Sequence, residues 1–205
     1  MTNYLLSIDP SIKNTGFTLW EKECELNCKY LWKPIESNTP HTNDIWKPIW
    51  INSYDFKKYS TKYEVSKSDA IYNNNFNFLI KLKIEKLIKC DIGSLFYNNN
   101  LNLIIERGTF HSKNGIGYET QEHLRGFIAG QFNKLITKDM LISPSEWKKW
   151  YVKIFWYAKD KIWNKELSIK LAKQVIQEQG WNITISNHDE ADSLLIGWYY
   201  LNKEN

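Results

Sequence analysis

Tyr4-Leu5-Leu6-Ser7-Ile8-Asp9-Pro10 is the stretch on which the fold turns. Four of its first five residues are apolar, and Pro10 cannot donate to a sheet ladder, so the run predicts a buried first strand that stops at an acid. Gly16 to Trp20 restarts the apolar pattern and predicts a second strand folded back on the first. A third strand is expected near Lys29–Trp32. Residues 33–68 contain Pro34, Pro40 and Pro48 and are expected to form an irregular insertion in one domain spanning residues 1–205, with a further strand over Ile49–Phe56. The tetrapeptide Trp-Lys-Pro-Ile occurs at 32–35 and again at 46–49. An echo that short does not make a repeat protein.

Beyond residue 68 the pattern changes to alternating helix and strand. Phe76, Ile80, Ile84, Leu87 and Ile88 keep helical spacing within 69–89. Leu101–Ile105 reads as a second buried strand, and it too stops at an acid, Glu106. Leu124, Phe127, Ile128, Phe132 and Leu135 predict a helix over 118–137, and Met140–Ile142 a short strand. Ser143-Pro144-Ser145-Glu146 has a capping Ser, a Pro in the first turn and a Glu three residues after the cap, a strong helix start. A helix over Leu167–Glu178 is expected to stop at Gly180, and Trp181–Ile185 to form a last short strand. Ser186 or Asn187 then caps a final helix reaching about Asn202. Strands first, followed by alternating elements, predict an α/β domain with a mixed sheet.

The chain has 205 residues, 42% of them hydrophobic and 24% charged, which excludes a disordered or fibrous protein. No apolar run reaches the roughly 18 residues of a membrane-spanning helix. The N-terminus shows no secretory signal, so a cytoplasmic location is expected. Three cysteines, Cys24, Cys28 and Cys90, make neither a disulfide framework nor a zinc site. The net charge of +4 is unevenly spread. Residues 56–90 and 144–173 each carry eight Lys against three acids, while residues 177–205 carry five acids against Lys203. This layout is that of solvated helix faces, or of a phosphate-binding surface around an acidic metal site.

Four acids sit at element boundaries: Asp9, Glu106, Asp189 and Asp192. The last two are three apart and share one helix face. Each has an ordinary explanation, as a turn former, a solvated strand end or a partner of the helix dipole. Gathered at one sheet edge, they could not all ionise without a counter-charge. Hard oxygen donors of this kind suit Mg²⁺ or Mn²⁺, and two such ions about 4 Å apart serve phosphodiester cleavage.

The motifs resemble a known family. Ile8-Asp9-Pro10-Ser11, followed by Thr15-Gly16-Phe17, is similar to the opening of RuvC-type Holliday junction resolvases. Leu103-Ile104-Ile105-Glu106 resembles their second acidic strand, Phe110-His111-Ser112-Lys113-Asn114 the loop after it, and Asp189-Glu190-Ala191-Asp192-Ser193 their terminal acidic helix. The blocks occur in the family's order across residues 4–200. The resemblance implies an RNase H-like mixed β-sheet flanked by helices. It implies a homodimeric, Mg²⁺- or Mn²⁺-dependent endodeoxyribonuclease of DNA recombination and repair, with two ions per active site. Such an enzyme nicks two opposing strands of a four-way DNA junction and leaves 5′-phosphate and 3′-hydroxyl ends.

By the same resemblance Asp9, Glu106, Asp189 and Asp192 are the catalytic, metal-binding acids, with Asp9 bridging both ions. Phe110 is an aromatic wedge at the crossover, and Lys113, Lys148, Lys149 and either Lys159 or Lys161 contact DNA. Ser11 replaces the family's Gly. The segment before Glu106 is longer, and 150–157 is strongly aromatic. These are the departures of a divergent, phage-encoded relative in a bacterial or infected cell.

Several readings stay open on the sequence. Trp147, Trp150, Tyr151 and Ile154 form either a packed helix face or a stacking surface for unpaired bases. His188 is a polar cap, a metal ligand or a proton carrier. Gly126-Phe127-Ile128-Ala129-Gly130 suits a dimer helix or close packing inside one chain. The substrate could instead be flaps, other branched DNA or structured RNA, or the chain could bind junctions without cutting them. A proofreading-type exonuclease is excluded, because Ser11 stands where that family needs an acid. An actin-like or sugar-kinase ATPase is excluded by length.

Overall fold

The computed structural model describes residues 4–11, 14–23, 45–55, 83–84, 86, 101–108, 115–155, 158 and 161–203. Strand β1 (Tyr4–Asp9) lies at the centre of a five-stranded sheet. With β2 (Asn14–Glu23), β3 (Ile45–Asp55), β4 (Leu101–Glu106) and β5 (Leu141–Ile142), the order is β3-β2-β1-β4-β5. The first three strands pair antiparallel, while β4 joins β1 and β5 joins β4 in parallel. The sheet is therefore mixed, and with helices against both faces the domain is of the α/β class expected.

Strand alternation divides the core in two. Leu6, Ile8, Phe17, Leu19, Leu103 and Ile105 pack on one face against helix α1 (Gly115–Gln131), through Leu124, Ile128 and Ala129. Leu5, Trp20, Ile104 and Ile142 pack on the other. That second face is covered by α2 (Pro144–Ile154), α3 (Lys165–Glu178) and α4 (His188–Asn202). By the same alternation Ser7 and Asp9 lie on the Leu5 face, and Glu106 lies on the Ile104 face. Both acids are therefore on the side of the sheet that carries α4.

The helix ends follow their residues. Ser143 caps α2 with Pro144 in its first turn, and the Glu146 carboxylate accepts from the Ser143 backbone N–H at 3.3 Å. Gly180 follows α3 with φ +64°, a conformation that ends the helix without a Cβ clash. Asn187, one of the two expected caps, accepts from the N–H groups of Asp189 and Glu190, both at 3.0 Å.

Several boundaries differ from expectation. Strand β3 begins at Ile45 and runs through Pro48 inside the segment expected to be irregular. It is an edge strand, and the ladder with β2 slips between Leu19 and Trp20, where Pro48 faces Trp20 and Ile49 is the extra residue. An edge position and a bulge are the settings in which proline costs a sheet least. Helix α1 ends at Gln131, because Asn133 turns to φ +50°, and Leu135 stands 88% exposed beyond it. Residues 181–185 join no strand ladder. Trp181 instead packs edge-on against Trp20 and Trp198 at 5.4 and 5.1 Å, so its apolar surface is used as a ring contact. Of the helix expected over 69–89, Lys83, Ile84 and Lys86 are described and helical, and Ile84 is buried. The strand expected at Lys29–Trp32 lies outside the described residues. Among the described residues no helix is long and apolar enough to cross a membrane.

Candidate active site

Register brings the acids together. Ile8 of β1 pairs with Ile105 of β4, so the strands end side by side at Asp9 and Glu106. On its other flank Asp9 pairs with Gly16 of β2. Helix α4 starts directly over that glycine, where a Cβ would overlap the carbonyl oxygen of Asp189. The Thr15-Gly16 pair thus has a physical role, which is to let the first turn of α4 settle on the backbone beside Asp9. Ser11, the departure from the family pattern, accepts a hydrogen bond from the Thr15 hydroxyl at 3.1 Å through its carbonyl.

Polar bonds fix α4 on the sheet. The Ser7 hydroxyl donates to the Ser193 carbonyl at 2.8 Å, and the Thr18 and Ser193 hydroxyls pair at 2.8 Å. At the helix start the Asn187 amide donates to Ser53 Oγ at 2.7 Å, and Ser53 donates to Glu190 Oε1 at 3.1 Å. The Ser186 N–H closes the ring on Glu190 Oε2 at 2.6 Å. Asp189 Oδ2 accepts from the Asn14 amide at 2.7 Å, and its Oδ1 lies 3.3 Å from His188 Nε2. His188 opens α4 and meets Asp189 rather than capping the helix, since the cap is Asn187.

The four carboxyls act on one another electrostatically. Burial pushes the Asp9 carboxyl well above the usual carboxylate range, and the charges of Glu106, Asp192 and Asp189 push it further. Asp9 and Glu106 lie close enough to act on each other, and two carboxyls so placed do not both ionise freely. Glu106 is raised by burial, against the lowering pull of Lys148, the Trp147 N–H, Asp9 and Arg125. Asp192 rises to about 7, chiefly through burial, with Glu106 and Asp189 adding to it and Ser168 and Lys148 opposing it. Asp192 Oδ1 is closed off from solvent and has no hydrogen-bond partner among the described residues.

All donors of the cluster are hard oxygens, one buried oxygen is unmatched, and like charge dominates. That composition fits divalent cations such as Mg²⁺ or Mn²⁺. Among the described residues no three His, Cys, Asp or Glu side chains are closed up around one point. The acids stand within electrostatic reach of each other.

The expected DNA-contacting residues divide. Lys148 is at the site, where it acts on both Glu106 and Asp192 and holds its ammonium over the rings of Trp147 and Trp163 at 5.0 and 5.7 Å. Lys149 is exposed on the next position of α2. Lys161 is exposed in the connection to α3, and no described contact brings it to the acids. Phe110, Lys113 and Lys159 lie outside the described residues. Trp147 and Tyr151 are wholly buried, which makes them a packed helix face rather than a stacking surface, and Ile154 at the end of that row is half exposed.

Four residues at the site carried no functional assignment in the sequence. Asn14 holds Asp189. Arg125 is buried, donates from Nε to the Glu106 carbonyl at 2.8 Å and pairs with Glu122 at 2.9 Å, so it clamps the end of β4. One signal existed for it: Arg107 and Arg125 are the only arginines among 27 basic residues, and a fixed guanidinium fork does what Lys cannot. Trp163 and Ser168 had no comparable signal.

The sequence matches no known protein-family model and no curated protein. Among solved structures it is similar to a Thermus thermophilus RuvC. That structure, "T. thermophilus RuvC in complex with Holliday junction substrate", is 10% identical, with 96% of this chain and 94% of that chain covered and a TM-score of 0.48. A second, "Thermus thermophilus RuvC structure", is 11% identical with the same coverage and TM-score.

Proposed function

We propose that the chain is a metal-dependent endodeoxyribonuclease that resolves four-way DNA junctions by paired nicks. The observation that carries this reading is the meeting of Asp9, Glu106, Asp189 and Asp192, from three separate elements, at one end of the sheet. The RuvC-like order of the sequence blocks supports the choice of substrate.

Asp9, Glu106, Asp189 and Asp192 would hold Mg²⁺ or Mn²⁺, two ions per site. When bound, such ions supply a polarised phosphodiester and an acidified water. Asp9 is the best placed to bridge, since it senses the charge of all three other acids. Asn14 and Trp147 steady the carboxylates of Asp189 and Glu106. Lys148 offsets their charge from within, while Lys149 projects outward, where a DNA backbone would run. The products would be a 5′-phosphate and a 3′-hydroxyl.

The partner would be a second copy of the chain, meeting it through α1. Gly126 and Gly130 are exposed, and a Cβ on either would meet no atom of the described residues. Close packing against the described residues therefore does not account for them. They lie in a groove with Phe127, His123 and Gln131 that a partner helix could enter. The enzyme would work where recombining DNA lies, in the cytoplasm of a bacterial or phage-infected cell.

The test is a cleavage assay on four-way junction, flap and linear duplex, with and without Mg²⁺, using wild type and Asp192→Asn. Symmetric nicks in the junction, dependent on both Mg²⁺ and Asp192, are expected. Preferential cutting of flaps would reassign the substrate. Junction binding with no cutting under either Mg²⁺ or Mn²⁺ would make the chain a binding protein.

A further inference from the structure

We propose that Trp147 and Trp163 are positioning residues that set how tightly the acid cluster holds a divalent cation, Trp147 through a direct indole bond to Glu106 and Trp163 through the Ser168 hydroxyl beside Asp192. The inference rests on the acid cluster being the metal site proposed above. Trp147 Nε1 donates directly to Glu106 Oε1 at 2.9 Å. Trp163 Nε1 donates to Ser168 Oγ at 2.8 Å, and the Ser168 hydroxyl favours the charged form of the Asp192 carboxyl. A hydroxyl has a single hydrogen, so once Ser168 has accepted from the indole that hydrogen is left for Asp192. Among the described residues Asp192 Oδ1 has no hydrogen-bond partner, which leaves it for a cation.

The two rings brace each other. They stand edge to face, 4.9 Å apart at 88°, and Trp147 is wholly buried. They also hold a cation that acts on both acids, since the Lys148 ammonium sits over both ring faces. One aromatic pair therefore fixes two carboxylates and their counter-charge.

Indole suits this task. Its N–H only donates and cannot itself bind a metal, so it orients a carboxylate without competing for the ion, as His or Asn would. A buried indole needs some acceptor, and a backbone carbonyl would suffice. Here one N–H ends on an acid and the other on the hydroxyl beside one.

The test is Mn²⁺ binding to the DNA-free protein, followed by calorimetry and by the electron-spin signal of the free ion. Trp147→Phe keeps the ring and removes the N–H; it should weaken Mn²⁺ binding about tenfold, the lower end of the range for lost outer contacts of metal ligands. Ser168→Ala should do the same through Asp192. In a Glu106→Gln background, Trp147→Phe should cause no further loss, because its effect passes through Glu106.

Unchanged Mn²⁺ affinity in both single variants overturns the proposal. So does an equal loss from Trp147→Phe in the Glu106→Gln background, which would mark a general packing effect. Should Trp147→Phe fail to fold, Ser168→Ala with and without Asp192→Asn decides the matter by the same logic. Failure of the wild type to bind Mn²⁺ removes the metal-site reading and this inference together. Binding that needs Glu106 and Asp192 but ignores both single variants removes this inference alone.

Discussion

Replacing Asp192 by Asn should stabilise the metal-free protein at alkaline pH while abolishing its activity. The folded-state pKa of Asp192 is raised from 3.8 to about 7, mainly by burial and then by the neighbouring Glu106 and Asp189. Between those values the folded chain keeps a proton that the unfolded chain has lost. The folded state then binds more protons, so stability is intact below about pH 4 and declines until pH passes 7. A shift of roughly three units corresponds to about 4 kcal/mol by pH 8. Asn carries no charge, fills the same space and can still accept from Ser168, so the variant escapes that loss. Urea unfolding in EDTA should therefore find the advantage of Asp192→Asn growing by about 3 kcal/mol between pH 5 and pH 8, with an unchanged slope. Excess Mn²⁺ should narrow the gap by stabilising the wild type alone. A difference of the same size at both pH values would refute the reasoning, since the burial of charge would then not be its source.

Three other variants probe separate links. Asp9→Asn should abolish junction cutting while leaving the gel-shift affinity for junction within about twofold, because phosphate contacts carry most of the binding; normal cutting by this variant would remove Asp9 from the site. Gly16→Ala should cost about 3 kcal/mol in urea unfolding, as the new methyl meets the Asp189 carbonyl and lifts the start of α4 off β2; a wild-type midpoint would contradict the close approach. Gly126→Glu should yield a folded monomer by light scattering, since the carboxylate enters the α1 groove and nothing else nearby; a persistent dimer would place the interface elsewhere.

What could be read from the sequence was whatever depends on local chemistry. Tyr4–Asp9 and Leu101–Glu106 were legible as strands because each is an apolar run with an abrupt polar end, and that end is where the acid stands. The starts of α2 and α4 were legible because capping is a contact among neighbours in sequence. Strand β3 was legible only in its second half, since the tolerance of Pro48 depends on an edge and a bulge that no local pattern shows. Trp181–Ile185 has strand-like composition, yet a Trp surrounded by Trp20 and Trp198 gains more from ring contact than from a ladder.

The same division runs through the site. The acids were legible as candidates because each stands where an apolar run ends or a helix begins. Their electrostatic predicament follows from parity and register alone: Asp9 and Glu106 end adjacent parallel strands on one face, and Gly16 admits the α4 acids to that face. The indoles were not legible in this way. Helical spacing says that Trp147 is buried, but not where its N–H ends, and Trp163 reaches Ser168 across the Asn164 cap of α3, whose own side chain is bound to Leu167. Burial is a property of pattern, whereas the direction of a single polar atom is a property of the assembled fold. Four carboxyls gathered at one sheet end cannot all ionise cheaply, and two tryptophans, a lysine and a buried arginine stand around them; a divalent cation would relieve the repulsion that remains.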